Sequence, residues 1–481
     1  MMKTNCRKRL WLLCGGWWLI ALLSCSDEKT VIVYASGDST ETGTGEPISI
    51  RAWNVNRFIA EYMEELYLWT SSVNWRTVKP FDESDPFEFF GKLVYSADKW
   101  SMLTDDIQGL SNEFEGVSTT FGHILIFGRF ANSDNLFAIV LYVYPGTPAE
   151  RAGVKRGDIF LSVNGNGITE ENYRDLYDAP SLTVERGIVT GEGITFDGRT
   201  FSMTAETLYE NPIVKDTVIV KGAHKIGYLC YTDYTMESEN ALVELFSGYK
   251  SQGVTDVVLD LRYNGGGFAQ TSVLLSSILA PAAVVERKEV FITQVRNDAW
   301  MAYLEGEKVD INEYFTDTLP VNMDLKRIFV LTTENTASAS ESTLVGLDPY
   351  MDVVRIGAAT HGKYYGGGLF SDDEDKDIAN WGMYLMIYRF DNRNGITALA
   401  GGLAPDIEAE EDYFALCPFG DERDPLLGAA LEMITGQPVQ RRADKSPHPY
   451  GIMPTERRGA LVGKMIQTNT DDHPSRGLKV R

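Results

Sequence analysis

Residues 328–363 read IFVLTTENTASASESTLVGLDPYMDVVRIGAATHGK. Ile328-Phe329-Val330-Leu331 and Val353-Val354-Arg355-Ile356 are short apolar runs of the kind a buried strand needs. Between them, Thr336-Ala337-Ser338-Ala339-Ser340-Glu341-Ser342 is a run of small residues opening a helix that continues through Leu344 and Val345. Strand, helix and strand in that order predict an α/β layout. Small side chains at the helix start leave room for a serine nucleophile, and a helix N-terminus favours a developing negative charge. Taken alone, the segment reads better as an ordinary Ser/Thr cap. The second strand leads into Thr360-His361-Gly362-Lys363, whose lysine lies 25 positions after Ser338.

The same alternation extends from Lys225 to Gly436. Ile226–Tyr231 reads as a strand, Asn240–Lys250 as a helix and Val257–Leu261 as a buried strand. That strand runs into Arg262-Tyr263-Asn264-Gly265-Gly266-Gly267, and consecutive glycines let backbone N–H groups approach a ligand closely, as an oxyanion hole requires. Two motif mimics fall away. Residues 357–363 spell the first seven positions of a P-loop, but Tyr364 stands where Ser or Thr should ligate magnesium, so no nucleotide is expected. Ser247-Gly248-Tyr249-Lys250 imitates a Ser-x-x-Lys pair but lacks the companion motifs in order.

Upstream, residues 114–207 shorten to β-type periods such as His123–Phe127 and Phe137–Leu141. Pro145-Gly146-Thr147-Pro148-Ala149-Glu150-Arg151-Ala152-Gly153-Val154, followed by Gly157-Asp158-Ile159 and ending Val163-Asn164-Gly165, resembles a PDZ domain. Such domains capture an extended C-terminus by strand addition, with backbone amides holding the carboxylate. Phe121-Gly122-His123-Ile124 matches the carboxylate-binding loop in position and type, with His123 read as a satisfied loop histidine. Residues 48–113 carry a helical pattern (Ile59, Tyr62, Met63, Leu66, Tyr67) with no cluster of ionisable residues, and read as a packing domain.

The ends are different in character. Lys3, Arg7, Lys8 and Arg9 precede an apolar run from Leu10 to Leu23, too short to span a bilayer and suited to a signal peptide. Leu22-Leu23-Ser24-Cys25 resembles a bacterial lipobox, which implies lipidation at Cys25 and a lipid anchor in the cell envelope. Asp27 and Glu28 resemble the surface-export signal of lipoproteins in Bacteroides-like bacteria. Residues 26–47 read as a flexible tether. The tail, 441–481, holds nine Lys/Arg against four Asp/Glu and is expected outside the packed core, leaving 35 against 64 in residues 1–440. That acidity argues against a nucleic-acid footprint. Five cysteines without a Cys-x-x-Cys pair, and five scattered histidines, argue against a disulfide scaffold and a metal site. Cys230 and Cys417 read as packed thiols.

Together, Ser338-Ala339-Ser340-Glu341, Thr360-His361-Gly362-Lys363, the 262–267 glycine segment, Leu403-Ala404-Pro405-Asp406-Ile407 and the preceding PDZ pattern resemble the carboxy-terminal processing (tail-specific) peptidases. The likeness covers about residues 114–436. It implies an α/β multidomain protein: a signal peptide (1–25), tether (26–47), N-terminal helical domain (48–113), PDZ-like β-rich domain (114–210), crotonase/Clp-protease-like catalytic core (211–440) and basic tail (441–481). It further implies Ser338 as nucleophile and Lys363 as general base, with no cofactor and with polypeptide C-termini as substrates. The oxyanion would be held by the N–H of Ala339 and of Gly267, with Gly266 close behind. Lysine works as a base only when neutral, so its pKa must fall from about 10.4 towards 7–8, as burial among apolar groups arranges. Members of the family often carry a glutamine four residues after the lysine; here the position is Gly367. That departure favours a rival reading, a non-hydrolytic peptide-binding lipoprotein on the same fold, while the intact Ser338 and Lys363 oppose it.

Overall fold

The computed structural model describes residues 48–440 and 451–452, apart from 131, 132, 192, 373, 374 and 399. Cys25, the signal segment and the tether lie outside the described residues.

The chain is organised around a six-stranded sheet. Its order is Ile213–Lys221, His224–Tyr231, Asp256–Asp260, Arg327–Thr332, Asp352–Gly357, Ile407–Glu408, with the first pair antiparallel and the rest parallel. Strand alternation sorts the side chains to two faces. Val257, Leu259, Ile328 and Val330 pack with Leu242 and Phe246 of the helix Glu239–Ser251 and with Leu275 and Ile278 of Ala269–Leu279. Val258, Phe329 and Leu331 turn the other way, onto Leu426, Leu427 and Ala430 of the helix Pro425–Thr435. Helices on both faces explain why these strands read as unbroken apolar runs. Cys230 and Cys417 are buried.

The PDZ-like part is an antiparallel sheet ordered Gly451–Ile452, His123–Arg129, Leu136–Val143, Ile159–Phe160, Ser181–Thr190, Gly193–Thr204. Its core gathers Phe121, Leu125, Val140, Phe160 and Leu176, the last from the short helix Asp175–Asp178. Two expectations change here. His123 opens a strand instead of sitting in a loop. Gly451 and Ile452, in a tail expected outside the packed structure, pair with Arg129 and Gly128 of that strand.

Residues 48–113 contribute the helices Ile50–Leu66, Pro86–Leu93 and Ile107–Phe114, as the periodicity predicts. They do not form a separate packing unit. Val55, Ile59, Met63 and Phe90 share one core with the central sheet, and Met102–Thr104 pairs with Gly382–Asp391 of a second sheet.

A buried ionic cluster ties the PDZ part to the core. Arg262, wholly buried, donates to Asp260 (2.8 Å), Glu411 (2.8 Å) and Asp424 (2.8 Å). Arg156 of the PDZ part pairs with the same Glu411 and reaches Tyr263 at 3.0 Å. Removing one partner from such a cluster strands the others as unpaired buried charges, which costs about 3–5 kcal/mol. Arg262→Ala is therefore expected to lower the melting temperature by roughly 6 °C or more at about 2–4 °C per kcal/mol; an unchanged calorimetric transition would contradict this role.

Candidate active site

Ser338 stands at the N-terminus of the helix Ala339–Leu347 with φ 56° and ψ −112°. A non-glycine residue there is off every favoured backbone well and costs on the order of 1–3 kcal/mol, so neighbouring contacts must hold it. Those contacts are on either side. The Ala337 N–H and the Ser340 hydroxyl donate to the Asn264 carbonyl at 3.0 and 3.1 Å, and the Thr336 hydroxyl donates to the Leu261 carbonyl at 2.8 Å. The serine turn is thereby laced to the glycine turn that follows the strand Asp256–Asp260.

Glu341 binds the third segment. Its buried carboxylate accepts from the Ser338 N–H (3.0 Å) and the Lys363 N–H (2.8 Å) through Oε2, and from the Gly362 N–H (2.7 Å) and the Thr360 hydroxyl (2.6 Å) through Oε1. Burial pushes this carboxyl above its usual range, and the four donors pull it back. The Thr360 hydroxyl in turn accepts from the Leu403 N–H at 2.7 Å, which places the Leu403-Ala404-Pro405 segment behind the lysine turn.

The two glycines expected as oxyanion donors are separated by the structure. Gly266 (φ 116°) already donates its N–H to Asn264 Oδ1 at 2.9 Å, while its carbonyl accepts from Tyr234 N–H at 2.8 Å. Among the described residues the N–H groups of Gly267 and Ala339 have no hydrogen-bond acceptor. Gly266 is needed for space: a Cβ there would lie 2.7 Å from the Ser338 Cβ. Gly267 combines a φ of 130°, which only glycine adopts freely, with close neighbours: a Cβ would lie 2.4 Å from the Tyr234 carbonyl oxygen and 2.8 Å from Asp233 Oδ1.

Lys363 is buried, and its Nζ lies 5.4 Å from the ring centroid of Tyr384. Desolvation lowers its pKa to about 8, against the opposing fields of Asp98 and Glu341. Asp98 comes from the N-terminal segment. It is itself buried and fixed by the Tyr67 hydroxyl (2.8 Å) and by the N–H groups of Trp100 (2.9 Å) and Ser101 (3.0 Å). The segment read as packing alone thus supplies the carboxylate nearest in electrostatic effect to the lysine. Gly367 also gains a reason. It lies in the strand Tyr365–Ser371, where a Cβ would come within 2.5 Å of both the Tyr384 ring and Met386 Cε. No side chain fits at 367, and Tyr384 fills that space against Lys363.

Ser338, Lys363, Gly266 and Gly267 line one cavity of about 430 Å³ together with Thr120, His123 and Ile124 of the PDZ part. Phe121 is buried in the domain core, and the Gly122 N–H donates to Thr120 Oγ1 at 2.9 Å. His123 Nε2 is bonded to the Leu176 carbonyl at 2.9 Å, its Nδ1 has no partner among the described residues, and burial lowers its pKa to about 4. It stays neutral at ordinary pH. Asp233 also lines the cavity, its pKa pushed up to about 8 by burial. Among the described residues no His, Cys, Asp and Glu group is arranged to hold a metal ion.

The site thus brings together a serine at a strained helix start, a buried lysine of lowered pKa and two unbonded backbone N–H groups. Residues 225–409 match the model of peptidase family S41, residues 54–102 that of the S41 N-terminal domain, and residues 139–181 that of a PDZ domain. The carboxyl-terminal-processing protease of Picosynechococcus sp. is 25% identical over 300 residues, covering 62% of this chain and 66% of that protein. The carboxy-terminal processing protease CtpA of Bacillus subtilis is 23% identical over 339 residues, covering 69% and 65%. The chain therefore spans just under two thirds of these relatives. A solved structure of an S41 protease from Bacteroides fragilis superimposes with a TM-score of 0.67 at 27% identity, covering 79% of this chain and 97% of that one. By these matches the chain is similar to the carboxy-terminal processing peptidases of family S41.

Glu341 offers the sharpest test of the site's construction. Glu341→Gln would turn an NH₂ group towards two of the four donors, losing two bonds and burying like against like. At about 1–3 kcal/mol for each unsatisfied buried group, the variant should lose roughly 3 kcal/mol of stability. Calorimetry should show a clearly lowered transition; one within 1 °C of wild type would refute the four-bond assignment.

Proposed function

We propose that this chain is a serine endopeptidase that cuts polypeptides near a C-terminus presented by its PDZ part. The observation that carries this reading is the single cavity running from Thr120, His123 and Ile124 to Ser338 and Lys363. Neutral Lys363 takes the proton of the Ser338 hydroxyl as Oγ attacks the scissile carbonyl. The N–H groups of Ala339 and Gly267 hold the oxyanion. The Lys363 ammonium then returns its proton to the leaving amine, and an ester on Ser338 remains. Water, giving a proton to Lys363, attacks that ester; the lysine reprotonates Ser338 as the new carboxylic acid departs. Every proton is carried by Lys363, and no other group is required.

Gly367, which favoured an inactive protein, gives no support to that rival once Tyr384 is seen to occupy the space beside Lys363. Lipid anchoring through Cys25 in the cell envelope is part of the proposal, resting on the sequence of residues 1–28.

The test is cleavage of a peptide with an apolar C-terminus. Ser338→Ala and Lys363→Ala should each lower kcat/KM by at least a thousandfold; equal residual rates in wild type and both variants would end the peptidase reading. The pH profile follows from two groups. Lys363, at about 8, is neutral in only about a tenth of molecules at pH 7, so the rate should climb as pH rises through 8. Asp233, also near 8, loses its proton in the same window and sets a negative charge beside Gly267, opposing the oxyanion. The expected profile is a narrow bell, and Asp233→Asn should retain the rising limb while removing the fall. A wild-type rate constant from pH 6 to 9 would contradict both assignments.

A further inference from the structure

The strand His123–Arg129 is paired on one side with Leu136–Val143, and its other edge faces outward from the PDZ sheet. That edge carries a rung of the chain's own tail. Gly451 stands opposite Arg129 and Ile452 opposite Gly128, antiparallel. The direction matters. Each residue added to the tail steps back along the strand towards His123, so a strand keeping this register reaches Ile124 and His123 four and five residues beyond Ile452. Those two residues line the cavity that continues to Ser338 and Lys363. A ligand added by β-augmentation uses this same edge, with alternate side chains and main-chain bonds supplying affinity.

We propose that the tail segment around Gly451–Ile452 is a tethered occupant of the peptide-accepting edge, competing in cis with substrate strands. This rests on the reading of the PDZ part as the capture site. Ten residues, 441–450, connect the body at Gln440 to Gly451. A tether that short gives an effective concentration on the order of millimolar, enough to populate a contact too weak to form between separate molecules. Charge acts in the same direction: the tail has nine Lys/Arg against four Asp/Glu, while the cavity wall presents Glu113, Asp178 and Glu210 against Lys99 and Lys363. A substrate must therefore displace the tail, and chains that pair over a long stretch of the edge are favoured over those that offer only a terminal residue or two.

Two measurements test this on the Ser338→Ala background, in the full chain, in a chain ending at Gln440, and in Ile452→Pro, which removes one backbone donor but keeps the tail. Hydrogen exchange across residues 124–130 should be slower in the full chain than in either variant; identical exchange in all three overturns the tail's seat. Fluorescence anisotropy with a labelled ten-residue peptide ending in apolar residues should give a Kd about tenfold lower for the truncated chain. Faster exchange with an unchanged Kd overturns the competition while leaving capture by the PDZ part standing. Faster exchange with no binding to any form sustains the tail's seat and overturns the capture reading instead.

Discussion

One carboxylate holds the site together. Glu341 spends all four of its acceptor directions on donors from two separate loops, two at the Ser338 and Lys363 backbones and two at Thr360 and Gly362. A buried carboxylate is expensive unless fully bonded, and here the bonding fixes the relative position of two turns that are remote in sequence. The off-well conformation of Ser338 is sustainable only because that anchor, the Asn264 carbonyl and the helix that follows over-determine it. The strained serine lines the cavity together with Lys363 and Gly267.

The lysine is governed by a second balance. Burial pushes its ammonium towards neutrality, and two carboxylates, Asp98 and Glu341, limit how far it goes. Had burial acted alone the lysine would sit neutral but poorly positioned. Had the carboxylates been nearer, it would be a permanently charged ion pair. Tyr384 lends an aromatic face in place of a hydrogen-bonding side chain, which keeps the ammonium in contact without a neutralising partner. Outside this centre, the Arg156–Glu411–Arg262 cluster fixes the PDZ part against the core, so that the cavity wall from Thr120 to Ser338 is built on one continuous body.

How far the sequence foretold this depends on distance along the chain. The strand and helix alternation between 225 and 436 was legible because a sheet covered on both faces leaves unbroken apolar runs. Ser338 and Lys363 were legible because the motif around each is local. Glu341 was visible only as a letter of its motif, since its partners lie at 360–363 and nothing local reveals that a glutamate points towards them. Gly267 could be set ahead of Gly266 only by the family resemblance, because the physical choice turns on where the Asn264 side chain points. Asp98 and Tyr384 were out of reach: one belongs to a segment whose helical periodicity announces packing and nothing else, and the other lies in an apolar strand of a different sheet. Asp233 carries no motif, and its significance comes wholly from the burial that raises its pKa. The two-residue rung at Gly451–Ile452 was equally hidden, since a Pro-rich polar tail has no strand pattern.

The central claim is that Ser338 becomes covalently attached to the substrate acyl group with Lys363 as its base. The most direct measurement is peptide mapping by mass spectrometry after acid quench of enzyme turning over an activated ester of a short apolar peptide. The account predicts an acyl adduct on the tryptic fragment containing Ser338, absent in Ser338→Ala and at least a hundredfold slower to form in Lys363→Ala. Turnover of the ester with no adduct on that fragment, or with the adduct on another residue, would contradict it.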